Sequence, residues 1–458
     1  MAIADRSLAE ELAEWATQVR PDDIPQAVRA VARRSLLDVA GLCVAARGTD
    51  YVQAVLGASD GRGDCTAFGH APTLDVAGAA LVNGTAAHGE DFDDTYEGTP
   101  VHPGAVAVPA VLAACEAHGL SGAALLTGVA VAAEIMCRLA TVAPTAHHRA
   151  GFHPTAVLGT FGAAAGVAAA LDLTPAQTTD ALGIAGSMTS GLIEYLAEGA
   201  WTKRLHPGWA AGSGYRAARL AAQGFRGPRT VFEGTHGFFF AFGAANVAPD
   251  FASLTDALGR DWRSSSVAYK PYACGTICQP FIDAAIALTD KGVDPARIRD
   301  IRCKVAEGTV HRLWEPREEK LRPTTAYSAK FSVPYCIAVA FHDKAAGLEQ
   351  FTAERIGDPA LATLAELVHY EIDPADPYPR DYVARIRVTL ADGSEITAEQ
   401  PHLRGGRHQP LSEEELTRKY FSNTRHGGWP RDRAQRLFDC LSSLFEQHDM
   451  KALRAFRG

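Results

Sequence analysis

Four stretches, Val76–Ala87, Ala105–His118, Gly122–Ala140 and Pro154–Leu171, are built almost entirely from alanine, glycine, valine and leucine at helical spacing. Such small side chains let helix axes come close together, so the chain is expected to form a compact helical bundle. Other segments extend it. Ser7 and Glu10 form a capping box ahead of Leu8, Leu12, Trp15 and Val19, and Val28, Val31, Leu36 and Val39 mark a helix between Pro25 and Ala46. Thr174 caps a helix with Pro175 at its first position, and Gly183, Gly186 and Gly191 break it before a loop carrying Trp201–Gly208. A helix at Ala210–Ala222 and the aromatic run Gly237–Phe242 follow. No strand-like alternation is found through about residue 265.

The pattern then changes. Arg299–Ala306 alternates, and Arg385–Ala398 alternates around Asp392-Gly393, a hairpin signal, with helices expected at Phe281–Asp290, Ala329–Phe341 and Asp358–Tyr370. Ser412 and Glu415 then cap a helical tail with Leu437, Leu441, Leu444 and Phe445 as its apolar stripe. The expectation is a mainly α protein with a smaller α+β domain: helical over 1–265, α+β over 266–399, helical again over 400–458.

Lys plus Arg number 44 against 53 Asp plus Glu, a net charge of −9, which argues against a nucleic-acid partner. The longest charge-free apolar run, Gly122–Ala133, stops at Glu134, short of the roughly 20 residues a bilayer requires, and no export signal precedes the first helix, so a soluble cytoplasmic protein without a membrane partner is expected. Nine scattered cysteines without a CxxC pair read as reduced thiols, and Cys274 with Cys278 lacks the neighbours of a metal site.

The chemistry concentrates in His88–His102, HGEDFDDTYEGTPVH, where Glu90, Asp91, Asp93, Asp94 and Glu97 crowd between two histidines. Acids this close repel unless a cation stands opposite, and an acid or imidazole so placed is suited to proton transfer; the plainer reading is a solvated acidic loop. Asp93, Asp94 and Glu97 also spell DDxxE, a Mg²⁺-binding pattern on a helix, but Gly98-Thr99-Pro100 ends any helix there and no second metal triad follows. His102, His153 and His206 each precede a proline, as if at helix mouths around one cavity. Lys203, Arg204 and His206 beside Trp201 suit carboxylate binding, and Lys270-Pro271-Tyr272 is a weaker basic position. With no Gly-rich phosphate cradle, metal spacing or serine elbow, the chemistry that fits is proton abstraction beside a carboxylate, with cations holding the resulting charge, on a small polycarboxylic acid.

The strings NGTAAHGEDFDDT, GFHPTAVLGTFGAAAG, DALGIAGSMTSGL, WTKRLHPGWAA and KPYACG, in this order over nearly the whole chain, resemble the MmgE/PrpD family, which includes 2-methylcitrate dehydratase, cis-aconitate decarboxylase and iminodisuccinate epimerase. The resemblance implies a homodimer whose helical domain combines the N-terminal segment and the C-terminal tail, with an α+β lid and a cofactor-free site between them. It carries functional positions onto Asp91, Thr95, His102, His153, Lys203 and Lys270, with Asp91, His102, His153 and Lys203 as the catalytic set. Thr95, Lys270, Arg204, His206 and Tyr272 are the substrate-binding candidates. The chain departs from the family after KPY: Ala273–Pro280 lacks a histidine usual there, which removes one group that titrates near neutrality. The function expected is a cofactor-independent lyase on a di- or tricarboxylic acid; the alternatives are an epimerase or isomerase using the same enolate and a non-catalytic metabolite-binding protein.

Overall fold

Helix Val76–His88 and helix Thr202–Ala222 cross where neither has a side chain. A Cβ on Gly84 would stand 2.5 Å from the Gly208 Cα, and one on Gly208 would run into the Leu81 carbonyl oxygen. Gly212 meets Ala77 further along, so the helices are antiparallel and the C-terminal end of the first, at His88, lies by the N-terminal end of the second. Helix Pro154–Ala170 packs by the same means on Gly122–Val142, through Gly128, Gly162 and Gly166. The computed structural model describes residues 6–244 and 247–458, and this helical unit holds the chain up to Gly89, Asp93–Val267 and Leu416–Gly458.

One expectation for this unit needs correction. Trp201–Gly208 is not a loop: Lys203–Gly208 form the first turns of helix Thr202–Ala222, with Pro207 inside it, so His206 does not stand at a helix mouth. Proline within the first two turns removes few intrahelical hydrogen bonds, which is why the helix tolerates it. The helix expected at Gly122–Ala140 runs 21 residues, from Gly122 to Val142, with Glu134 and Arg138 pairing at 2.7 Å on one face. By length and composition that helix could cross a membrane; 89% of its most apolar window is buried within the fold.

The second unit comprises Glu90–Phe92 and Ala268–Glu415. Its sheet has the order β2-β1-β3-β4, where β1 is Ile298–Val305, β2 Val368–Ile372, β3 Ala384–Leu390 and β4 Glu395–Gln400. β2 runs parallel to β1 with Val368 opposite Ile301, while β3 and β4 form the antiparallel hairpin at Asp392-Gly393, Gly393 taking φ 83°. Ile301, Cys303 and Val305 face inward, and helix Gln279–Asp290 covers β3 and β4. The helix expected at Asp358–Tyr370 is shorter, Pro359–Glu366, because Val368–Tyr370 pair with β1 instead. The chain is thus mainly α with a smaller α+β part.

Candidate active site

In the helical unit, His88 is the last residue of helix Val76–His88 and is buried, with its Nδ1 2.7 Å from Asp93 Oδ2. The chain beyond does not continue as helix, so DDxxE has no helical face: Thr95–Tyr96 is extended, and the Tyr96 N–H donates to the Val101 carbonyl at 2.8 Å. That small hairpin returns His102 over the acids. Its Nδ1 lies 2.6 Å from the Asp94 carbonyl oxygen and 3.5 Å from Asp93 Oδ2. A carbonyl only accepts, so the His102 proton sits on Nδ1 and Nε2 keeps its lone pair. Both Asp94 carboxylate oxygens accept the Gly104 N–H, at 2.9 and 3.1 Å, capping helix Gly104–His118, and the Ser35 hydroxyl donates to one of them at 3.0 Å.

His153 caps helix Pro154–Ala170 in an extended conformation, as a residue before proline should, and its Nδ1 is 3.1 Å from His206 Nδ1. Lys203 and His206 lie one turn apart on helix Thr202–Ala222, both buried. The Thr95 hydroxyl donates to the Val101 carbonyl at 3.3 Å. Arg204 points elsewhere, its guanidinium 4.4 Å above the Tyr51 ring.

Four imidazoles and an ammonium share this space, and the electrostatics follow. Burial drives His153 well below its ordinary range, with His206, His88, Lys203 and His102 adding to it. His206 is lowered to about 4, again by burial first and then by His88 and Lys203. Both rings are therefore neutral bases at neutral pH. Asp94 is raised to about 7 by burial and next by Asp93. A ring nitrogen from each of His88, His102 and His153 lies within 4.8 Å of the others, close enough to share a divalent cation. The Lys203 ammonium, near enough to depress two of the rings, opposes a dication there.

The second unit holds the rest of the expected residues. Asp91 adopts φ 53°, a left-handed conformation that costs energy outside glycine and often marks a working residue. Lys270 Nζ donates to the Asp91 carbonyl at 2.9 Å and lies 3.6 Å from Asp91 Oδ1, and the Tyr327 hydroxyl donates to Oδ2 at 2.6 Å. Lys330 clamps the preceding residue, 2.6 Å from Glu90 Oε2. Tyr272 is turned away: its hydroxyl donates to Asp283 at 2.7 Å beside Arg404. Where the family histidine is missing, Cys274 and Cys278 are buried and hydrogen-bonded with Cys336.

The structure thus gathers His102, His153, Lys203 and His206 in one unit with Thr95 on the adjoining hairpin, and Asp91 with Lys270 in the other. Arg204 and Tyr272 are engaged with Tyr51 and with Asp283 respectively. Reasoning from sequence singled out neither Tyr327 nor Lys330, and counted His88 and Asp93 only as members of the acidic stretch His88–His102. His88 carried one legible signal, its position five residues before Asp93 at a helix end; Tyr327 and Lys330 carried none, since their partners lie more than 230 positions away.

Residues 10–248 match the MmgE/PrpD N-terminal domain and residues 272–443 the MmgE/PrpD C-terminal domain. The chain is 27% identical to a cis-aconitate decarboxylase of Aspergillus terreus over 91% of its own length and 89% of the relative's. It is 27% identical to that of Mus musculus, covering 99% and 94%, and 29% identical to that of Homo sapiens, covering 82% and 78%. With both domains matched in order and full-length relatives alongside, the chain belongs to the MmgE/PrpD family.

Proposed function

We propose that this protein is a lyase acting on a small di- or tricarboxylic acid, either removing a proton beside a carboxylate and expelling the hydroxyl as water, or releasing carbon dioxide and delivering a proton to the carbon left behind. The observation that carries the reading is the buried set of His102, His153 and His206 around Lys203, two of whose rings are held neutral. A neutral imidazole carries the lone pair a general base needs, and an ammonium beside it stabilises the enolate as charge develops. Family membership and the cis-aconitate decarboxylases among the relatives support the same class of reaction. In this reading His102 or His153 handles the proton and the departing group, Asp91 orients or acts as base, and Lys203 with Lys270 holds carboxylates, while Thr95 and His206 line the substrate. Arg204 and Tyr272 reach it only by leaving their present partners.

A second reading is an epimerase of a small dicarboxylate, which uses the same enolate without expelling a group: one neutral imidazole removes the proton on one face and another group returns one on the other. Incubating the full-length protein with citrate, methylcitrate, malate and cis-aconitate distinguishes them. The lyase reading expects ultraviolet absorbance from a new conjugated double bond, or carbon dioxide, from one of these acids; silence across all four contradicts it.

A cytoplasmic homodimer goes with this proposal. All nine cysteines are free thiols, which suits a reducing compartment, and Leu192, Leu196, Trp201, Trp209 and Phe240 are exposed apolar side chains that a second copy could cover. Sedimentation at micromolar protein should give twice the 48.6 kDa chain mass.

A further inference from the structure

Three histidines from separate elements bring their rings together. His88 closes helix Val76–His88, His102 follows the small hairpin, and His153 caps helix Pro154–Ala170; all three are buried. A ring nitrogen from each lies within 4.8 Å of the other two. On each ring Nδ1 is already engaged: His88 Nδ1 stands 2.7 Å from Asp93 Oδ2, His102 Nδ1 2.6 Å from the Asp94 carbonyl oxygen, and His153 Nδ1 3.1 Å from His206 Nδ1. A carboxylate and a carbonyl accept, so His88 and His102 carry their ring protons on Nδ1 and their lone pairs on Nε2. His88 Nε2 is buried and has no hydrogen-bond partner among the described residues, which is costly for a polar nitrogen in the interior.

A histidine whose Nδ1–H is fixed by a carboxylate or a carbonyl is the common form of a metal ligand, because the outer partner sets the tautomer, orients the ring and raises the basicity of Nε2. Three imidazoles are also a sufficient protein set for zinc, with the fourth place left open. Tetrahedral bonds of about 2 Å space the nitrogens about 3.3 Å apart, so from 4.8 Å the rings draw in by no more than about 1.5 Å.

We propose that His88, His102 and His153 form a reversible inhibitory site for a divalent cation of the zinc class. Its blocking effect rests on the lyase or epimerase reading above; the binding itself does not. The cation takes the lone pairs that His102 and His153 otherwise offer to a substrate proton, so no imidazole base remains while it is bound, and its fourth place takes water or a carboxylate oxygen. His88, to which the reaction assigns no step, supplies the third ligand. Lys203 works the other way. It is buried close enough to act electrostatically on His153 and His206, and its ammonium repels a dication, which keeps the occupant exchangeable. Two other groups compete for such a cation, both in the second unit: His402 with His408, ring centres 4.7 Å apart, and the hydrogen-bonded thiols of Cys274, Cys278 and Cys336.

Full-length protein stripped with a chelator is titrated with Zn²⁺ in a calorimeter and with Co²⁺ in a spectrophotometer. One Zn²⁺ should bind per chain, and Co²⁺ should show the visible bands of a four-coordinate, nitrogen-ligated ion without thiolate charge transfer in the near ultraviolet. His88→Gln and His153→Gln, from different helices, should each remove those bands, and His402→Ala should leave them as they are. Asp93 is a positioning residue that acts through His88, so Asp93→Asn should weaken Zn²⁺ on the order of 10- to 100-fold. That variant leaves all three ligands in place and decides the matter if a histidine variant fails to fold. Lys203→Met should tighten Zn²⁺ several-fold. On the acid that the wild type turns over, Zn²⁺ should inhibit in competition with substrate, and chelator should restore the rate. The proposal is overturned if the bands survive both histidine variants, if thiolate charge transfer dominates, if Asp93→Asn binds Zn²⁺ as tightly as the wild type, or if turnover requires the metal. A wild type inactive on every acid would sink the functional reading, whereas calorimetry and the cobalt spectrum judge the site independently.

Discussion

Asp94 shows how the cluster taxes the fold. Its carboxyl is raised from an ordinary 3.8 to about 7, by burial and then by Asp93. The folded protein therefore holds a proton there that the unfolded chain has released, and the stability this contributes is fully present below the unfolded value and lost as pH rises through the folded one. Asp94→Asn is neutral throughout and keeps an acceptor for the Gly104 N–H. The Tm of the variant relative to the wild type should climb between about pH 4 and pH 7 and then level off; a difference independent of pH would contradict this assignment. Lys203 offers a second test. Replacing it by Met removes a cation that lowers both His153 and His206, so the acid limb of the kcat–pH profile should move to higher pH. The loss of enolate stabilisation should lower kcat on the order of 10²-fold or more while Tm holds, and unchanged turnover would remove Lys203 from the mechanism. His102 and His153 were legible because a His-Pro step puts a histidine in extended backbone ahead of a helix. His88 was legible only through its place five residues before Asp93 at a helix end; the contact between the two, which distinguishes it, is not visible in a string of letters.

At the level of helices and strands, glycine places the chemistry. Gly208→Ala would force helix Thr202–Ala222 off the Leu81 carbonyl and carry Lys203 and His206 with it. Overpacking of this kind costs roughly 1–3 kcal/mol, seen as a lower Tm together with lost activity. Gly57→Ala, where nothing lies within 4 Å of the added carbon, should be neutral or slightly stabilising. Arg138 is a different kind of joint. It is fully buried, paired with Glu134 at 2.7 Å, and donates to the carbonyls of Leu254, Asp256 and Asp261. Arg138→Ala would strand Glu134 in the interior and should cost about 3–5 kcal/mol by denaturant titration; a loss below 1 kcal/mol would show that the network is not holding that segment. The small-residue helices were readable from spacing alone. The start of helix Thr202–Ala222 was not, since Pro207-Gly208 looks like punctuation until Gly208 is seen pressed against Leu81. β2 was hidden as well, because Val368–Tyr370 continue the apolar spacing of the helix before them and only pairing with β1 makes them a strand.

Over the whole molecule, the acidic loop belongs to two units. His88, Asp93, Asp94, Thr95 and His102 group with the helices, while Glu90–Phe92 group with Ala268–Glu415, where Lys270, Tyr327 and Lys330 bind them. Sequence proximity suggested a single motif; the structure divides it into an imidazole cluster and a clamped carboxylate. The order of motifs along the chain was enough to identify the family, because each string is local, whereas the clamp joins positions separated by more than 170 residues and is invisible to any local reading. The central claim is that this protein takes a proton from the carbon beside a carboxylate and expels a group. Proton NMR of full-length protein with citrate, methylcitrate, malate and cis-aconitate in D₂O tests it most directly. The account predicts that one acid loses its substrate signals to an unsaturated or decarboxylated product, with deuterium from solvent wherever a carbon is reprotonated. Deuterium exchange with no product would leave an epimerase, and spectra unchanged for every acid would contradict the account.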